Sequence, residues 1–350
     1  VYGGPFDNKW TEENKTASRL NPEIAKKLNV GIDLGFLNDR LAFTFDYYQN
    51  KFSDVVATSE IKTAILGNVY PRSNCEKYSY TGTEMVLTWQ DRIRNFNYFI
   101  NGNLSFEQSK FEYSPQLPKA YPWMSRLGDP VGMTYGYVAD GIFQSQEEID
   151  MADCVYGGNK ANIKPGYIRY VDVNHDGEIN SKDRVILGNS TPRYEYSFTL
   201  GGQWKGIDLS LFFQGVGKRD LYYSGAGARP LVQNSTIFKS QLDTWSPENP
   251  DAEYPLLLVD AGSTNMNNIV SSFWIKSGAY LRLKNLTVGY TLPKKWTNRV
   301  SIDNLRLYFT ASNLFTINNG YKGYDPETGV TSGAMYPVMK TFNFGINLDF

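Results

Sequence analysis

Asp172, Asn174 and Asp176 stand at alternate positions in the run Asp172-Val173-Asn174-His175-Asp176-Gly177-Glu178-Ile179-Asn180-Ser181-Lys182-Asp183. Oxygen ligands at positions one, three and five, glycine at six for a sharp turn, a backbone carbonyl at seven and a carboxylate at twelve form the spacing with which a chain wraps a hard divalent cation. The spacing predicts a structural Ca2+ held by Asp172, Asn174, Asp176, the Glu178 carbonyl and Asp183, with Asn180 at position nine ligating directly or through water. Position twelve is Asp, which reaches less far than Glu. The bland alternative is an Asp/Asn/Gly-rich turn that binds nothing. The metal reading is preferred because gathered carboxylates without a cation repel one another.

Other chemistry is sparse. His175 is the only histidine, which removes His-pair metal sites and every Ser-His-Asp or Cys-His arrangement; at a non-ligand position of the loop it reads as solvated. Cys75 and Cys154 could bridge in an oxidising compartment, or stay free, because sequence cannot bring their Cα atoms within reach. Glu147-Glu148 could serve glycosidase chemistry, but adjacent carboxylates in a polar segment are ordinarily just solvated. Gly215-Val216-Gly217 and Gly225-Ala226-Gly227 lack the Lys-Ser/Thr of a phosphate loop and read as flexible loop entries. No catalytic residue is expected. Lys+Arg 35 against Asp+Glu 36 leaves a net charge of -1, so there is no basic footprint for nucleic acid.

The elements that would position the loop are strands. Phe342, Phe344, Ile346, Leu348 and Phe350 share one parity, and Thr341, Asn343, Gly345, Asn347 and Asp349 the other. The same period recurs in Leu28, Val30, Ile32 and Leu34, then in Leu41, Phe43, Phe45 and Tyr47. Met85, Leu87 and Trp89 lead through Gln90 to Asn95 into Tyr98, Ile100, Leu104 and Phe106. Tyr194 to Leu200 turn at Trp204, Lys205 and Gly206 into Ile207, Leu209, Leu211 and Phe213. Leu286 to Leu292 lead through Pro293 to Asn304 into Leu305, Leu307, Phe309 and Ala311. Alternation of this kind marks strands with one apolar face. Leu281 and Leu283 lie on the opposite parity from Leu286 to Leu292, which predicts a bulge near Lys284 and Asn285.

Short turns alternate with long connections, roughly 52–78, 113–193, 215–279 and 317–340. That is the pattern of outer-membrane barrels, whose periplasmic turns are short and extracellular loops long. Cys75 and Cys154 then fall in extracellular loops. Aromatic content of 15% with a mean hydropathy of only -0.42 suits interfacial aromatic girdles and also a glycan binder. A helical membrane protein would show runs of about 18 or more apolar residues. About nine membrane-length strands are counted, an odd number that leaves two unpaired edges, each costly in hydrocarbon. The chain is therefore expected to be a piece of a larger barrel. Its start at Val1, without initiator Met or signal peptide, is read the same way.

Leu20-Asn21-Pro22-Glu23, Asn29-Val30-Gly31-Ile32-Asp33 with Asp46-Tyr47-Tyr48, Tyr135-Gly136-Tyr137 with Asp140-Gly141-Ile142-Phe143, Ala279-Tyr280-Leu281-Arg282-Leu283-Lys284-Asn285-Leu286, Ala311-Ser312-Asn313-Leu314-Phe315, Gly323-Tyr324-Asp325-Pro326-Glu327 and Tyr336-Pro337 follow one another along the chain. This ordered set resembles the C-terminal part of SusC-like, TonB-dependent outer-membrane transporters of Bacteroidota. The resemblance implies an all-β chain, about the last nine strands of a 22-stranded plugged barrel, crossing the bacterial outer membrane many times. Residues 1–350 would be the C-terminal portion of one barrel domain, with 113–193 a long extracellular loop carrying the calcium-loop motif and the plug domain outside this chain. It further implies import of oligosaccharides or oligopeptides, a SusD-like surface lipoprotein as lid, TonB acting through the missing N-terminal part, and outer-membrane lipid as the barrel's surroundings.

The loop aromatics Tyr135, Tyr137, Phe143, Tyr222, Tyr223, Tyr321 and Tyr324 are candidates for ligand stacking, each competing with simple packing of the loops. The alternative from another class is a secreted all-β glycan-binding module, whose Asp183 at position twelve resembles the calcium loop of dockerins; it leaves the four hairpins with lipid-grade faces unexplained. A passive porin is a third reading.

Overall fold

The computed structural model describes residues 20–61, 72–231, 235–258, 266–318, 320, 324–328 and 336–350. In chain order, β1 (Ile24–Phe36), β2 (Leu41–Ala57), β3 (Ser73–Ile93) and β4 (Phe96–Tyr113) come first. The long segment after them holds β5 (Met133–Gly136), β6 (Ala139–Ile142), the helix α1 (Gln146–Met151), β7 (Ile168–Tyr170) and β8 (Val185–Asn189). Then come β9 (Tyr194–Trp204), β10 (Ile207–Gly217), β11 (Asp220–Tyr222) and β12 (Ile275–Ser277). β13 (Tyr280–Thr291), the helical turn α2 (Lys294–Thr297), β14 (Asn304–Asn318) and β15 (Thr341–Asp349) close the chain.

Nine strands form one sheet in the order β1-β2-β3-β4-β9-β10-β13-β14-β15. Every pair joins strands adjacent in sequence or separated only by loop elements, as short hairpins and long returns dictate. The chain divides into two compact units, one within residues 1–30, 47–82 and 108–131, the other within 31–46, 83–107 and 132–350.

The alternation read from sequence is what the sheet displays. Leu28, Val30, Ile32 and Leu34 are exposed, as are Ile100, Leu104, Leu209, Val288, Leu307, Phe342, Phe344, Ile346 and Leu348. On the opposite parity polar side chains pair across strands. Thr44 Oγ1 donates to Asp33 Oδ1 at 2.6 Å, Asn103 Nδ2 to Ser197 Oγ at 3.1 Å and Ser312 Oγ to Asn285 Oδ1 at 3.0 Å. Arg306 grips Asp208 through Nε at 3.0 Å and Nη2 at 2.7 Å. Gly345 is required on this face, because the Tyr308 ring occupies the space that a Cβ would take.

Local chemistry explains the corners. At Lys205-Gly206 both residues have positive φ, 47° and 89°, the conformation of a two-residue turn matched to strand twist, and Trp204 pairs with Ile207 across it. The expected bulge is present, as the register between β13 and β14 shifts between Leu283 and Asn285. Leu283 is thereby set opposite Phe213, on the same face as Leu286.

The structure corrects the strand lengths. β2, β3 and β4 run 17, 21 and 18 residues, beyond the roughly 9–11 that span a bilayer, so much of the expected 52–78 loop is strand. The extensions carry no sustained apolar alternation; they are held by hydrogen bonds such as Ser79 Oγ to Glu112 Oε1 at 2.7 Å and by ring contacts among Phe52, Tyr78, Tyr80 and Phe111. Cys75 accordingly lies in β3, and Cys75 and Cys154 are both free thiols. Gly215-Val216-Gly217 ends β10 rather than opening a loop.

The long connections are also more ordered than a structureless reading suggests. β5 pairs with β8, β6 with β7 and β11 with β12. Around them Tyr137, Ile168, Tyr170, Ile179, Leu221, Tyr223, Tyr254 and Trp274 form a buried cluster, and Phe143, Ile149, Val155 and Ile163 a second. Several buried polar groups there are paired, as burial favours, although Ser271 Oγ and Arg229 Nε have no hydrogen-bond partner among the described residues. Trp274 Nε1 donates to Asn267 O at 2.6 Å, the Ile168 amide to Asn267 Oδ1 at 2.9 Å and Tyr170 Oη to Met266 O at 2.7 Å. Glu148, weighed above as half of a carboxylate pair, caps α1: its Oε2 accepts from the Gln144 amide at 2.6 Å while Ser145 Oγ accepts from the Glu148 amide at 3.2 Å.

Candidate functional site

The loop 172–183 leaves the sheet pair at Tyr170 and returns through a 3-10 turn, Ser181–Asp183, into β8. Its backbone has the expected shape: His175 and Gly177, at positions four and six, both have positive φ, 58° and 85°. Asp172 Oδ1 accepts from the His175 amide at 2.8 Å and Oδ2 from the Gly177 amide at 2.9 Å. Asn174 Oδ1 accepts from the Asp176 amide at 3.1 Å and Asp176 Oδ1 from the Glu178 amide at 3.0 Å. Asp183, fully buried, reaches back across the loop, with Oδ1 accepting from the Val173 amide at 2.9 Å and Oδ2 from the Asn180 amide at 2.8 Å. These bonds leave a lone pair on Asp172 Oδ1, Asp172 Oδ2, Asp176 Oδ1 and Asp183 Oδ2, whereas Asp183 Oδ1 also accepts from the Asn174 amide and Asp176 Oδ2 accepts from Asn174 Nδ2 and Lys182 Nζ.

Two features qualify the motif. Lys182 Nζ donates to Asp176 Oδ2 at 2.8 Å, and this bond, with those from Asn174 and the Glu178 amide, holds the Asp176 carboxyl below the usual range. Among the described residues no three His, Cys, Asp or Glu side chains form a metal-holding group, so the carboxylates of Asp172, Asp176 and Asp183 are not drawn together as one set here. His175 is exposed, as expected. Ile179, at position eight, anchors the loop. It is buried in the loop core and bridges Tyr156, and an isolated apolar residue in an acidic run was the available signal.

A second cluster joins two motif segments that sequence named but did not pair. Arg282, 3% exposed, projects on the polar face and grips both oxygens of Asp325 through Nη2 at 2.7 Å. Its Nη1 meets Glu327 Oε2, and its Nε donates to Thr316 Oγ1 at 2.7 Å. Lys284 Nζ holds the other Glu327 oxygen at 2.6 Å. Two cations and two carboxylates thus neutralise one another where burial would penalise either alone. Opposite charges in Arg282-Leu283-Lys284 and Asp325-Pro326-Glu327 were the legible clue. Gly323 of that motif and Tyr321 lie outside the described residues.

Beside this cluster the polar face carries a cavity of about 660 Å³, lined among others by Glu84, Ser105, Glu195, Gln214, Arg219 and Tyr280. The described loop aromatics differ in their surroundings. Tyr137, Phe143 and Tyr223 are buried in the loop cores, Tyr324 packs edge-on against Tyr223 at 4.9 Å, and Tyr135 and Tyr222 are half-buried. Packing, not ligand stacking, uses the three buried rings.

Residues 6–314 match the family described as TonB dependent receptor-like, beta-barrel. The chain is 28% identical over 367 residues to TonB-dependent receptor P3 of Formosa agariphila, covering 95% of this chain and 34% of that protein. It is 25% identical over 334 residues to TonB-dependent receptor SusC of Bacteroides thetaiotaomicron, covering 92% and 31%. In fold it is similar to the RagAB peptide transporter structure, with a TM-score of 0.70 and 21% identity over 94% of this chain and 35% of that one. The chain spans about a third of the length of the curated relatives it matches. An open antiparallel sheet with one apolar and one polar face is a segment of such a barrel, and with the family match over most of its length the chain belongs to the TonB dependent receptor-like β-barrel family.

Proposed function

We propose that the chain is the C-terminal barrel portion of a TonB-dependent, SusC-like importer that carries oligosaccharides or oligopeptides across the bacterial outer membrane. The observation that carries this reading is the exposed apolar parity repeated across the sheet, opposite a hydrogen-bonded polar parity. Lipid satisfies the first and an aqueous or plugged lumen the second. The free edges of β1 and β15 call for further strands, since unpaired backbone in hydrocarbon costs several kcal/mol per group; an N-terminal barrel and plug portion would supply them, together with the contact to TonB. A SusD-like surface lipoprotein would cap the long-loop side. No catalytic role is proposed. Transport would work by capture between lid and barrel, followed by displacement of the plug.

Purification from outer membranes in mild detergent, with intact-mass identification of every co-purifying polypeptide, tests this. A lipoprotein and a plug-bearing portion are expected; recovery alone from the soluble fraction would favour the secreted glycan-binding module.

We propose also that loop 172–183 takes a calcium ion on Asp172, Asn174, Asp176, the Glu178 carbonyl and Asp183. The ion would cross-link oxygens from both ends of the loop, and Lys182 would yield its place on Asp176. Asp172→Ala with Asp176→Ala should abolish bound calcium in elemental analysis of the purified protein; unchanged occupancy removes the assignment.

A further inference from the structure

Three hairpins of the sheet close in two to four residues: 37–40, 94–95 and 205–206. The fourth, between β13 and β14, takes the twelve residues 292–303. Antiparallel strands need only two, so most of this turn is not required for closure. It is nevertheless folded. Leu292 N donates to Leu305 O at 2.9 Å, Trp296 N to Pro293 O at 2.8 Å and Ile302 N to Thr297 O at 3.2 Å, and Thr297, the last residue of α2, is buried where the helix passes into the 3-10 turn Asn298–Val300.

What the turn presents is cationic and aromatic. Lys294, Lys295 and Arg299 are exposed, and none is ion-paired among the described residues. Between them Trp296 is 56% exposed. Asp303 is the one acidic residue of 292–303. The adjacent turn extends the patch: the Thr291 amide donates to Gly206 O at 2.8 Å, Lys205 Nζ lies 4.9 Å over the Trp204 ring, and Trp204 is itself exposed. Directly behind, Ile207, Val288, Tyr290, Leu307, Phe344 and Ile346 line an apolar groove of about 940 Å³.

We infer that the 292–303 turn, with Trp204 and Lys205, docks anionic phospholipid in the membrane leaflet on the short-turn side. Two indoles beside four basic side chains, at the rim of an apolar groove, match an amphiphile whose phosphate sits among the cations and whose acyl chain follows the groove. The inference rests on the barrel reading. A soluble acidic protein would answer the charges but not the groove.

The test is native mass spectrometry of the detergent-purified protein offered equal phosphatidylglycerol and phosphatidylcholine. About a tenfold preference for retained phosphatidylglycerol is expected, falling toward parity in the triple variant K294Q, K295Q, R299Q, and in wild type at high salt. The salt arm reads the same charges should the variant misfold. Equal retention of the two lipids by wild type, or a preference untouched by both salt and variant, overturns the inference. So does loss of a co-purifying soluble protein from the variant with lipid preference intact. A protein that remains monodisperse without detergent and enters no bilayer would instead defeat the barrel reading itself.

Discussion

Trp274, in the long segment between β11 and β13, is 1% exposed and satisfies its Nε1 on Asn267 O; Phe344, in β15, is 84% exposed. The contrast holds for the regions around them. The loop core gathers Tyr137, Ile168, Tyr170, Leu221, Tyr223 and Tyr254 and pairs their polar atoms, as a water-soluble domain does. The sheet leaves its aliphatic and aromatic side chains outside and turns its charges, among them Asp208 and Arg306, toward the other face. One chain thus follows two solvation rules, and on the proposed reading the boundary between them is the extracellular surface of the membrane. A mean hydropathy of -0.42 over the chain hides this because an average carries no information on which side chains face out.

The comparison can be broken at several points. Trp274→Ala should destabilise the loop core by about 3–5 kcal/mol while the sheet persists in detergent; hydrogen exchange resolved by region would show protection lost in β5 to β8, β11 and β12 and kept in β9, β10 and β13 to β15. Simultaneous loss in both would mean that the two are one cooperative unit. Arg282→Ala leaves Asp325 without its cation at a part-buried site while Glu327 keeps Lys284, an expected loss of about 1–3 kcal/mol; Arg282→Met combined with Asp325→Asn should recover much of it, as read by thermal unfolding.

Leu307→Lys tests the sheet's side of the contrast, with an expected penalty of about 2–4 kcal/mol for folding into bilayers if the site lies near the midplane. An equal change in bilayer and in buffer would contradict a lipid-facing role. The smallest effect concerns pH. Burial pushes the Tyr137 hydroxyl up to about 12, helped by Tyr156, and burial likewise pushes Tyr254 up to about 12. Unfolded tyrosine ionises near 10, so the folded loop core holds more protons between pH 10 and 12. Its stability is full below pH 10 and declines as pH rises toward 12, which tyrosinate absorbance followed against regional hydrogen exchange would reveal; loss beginning below pH 9 would argue against burial of these rings.

Most of the sheet was legible in the sequence because alternation with one apolar face is a strict period-two signal, and the bulge was legible because Leu281 and Leu283 break that parity. Strand ends were less so: β3 continues to Ser73 on polar side chains that carry no such period. The loop core left no periodic trace, since Tyr137, Tyr170 and Trp274 meet from distant, irregular segments. For the same reason the ring residues Tyr137, Phe143 and Tyr223 read as candidate ligand platforms, with packing the weightier alternative for each. The spacing of 172–183 specified its backbone turn and donor oxygens, whereas the Lys182 contact to Asp176 depends on a side-chain direction that spacing does not encode.

Spin labels placed singly along Leu286, Thr287, Val288, Gly289 and Tyr290 of the membrane-reconstituted protein, with Cys75 and Cys154 changed to Ser, test the central claim most directly. Accessibility to oxygen should peak at 286, 288 and 290, and accessibility to a water-soluble nickel chelate at 287 and 289, in strict alternation. Uniform access to the chelate along all five positions would show that the apolar face meets water or protein, and would contradict the account.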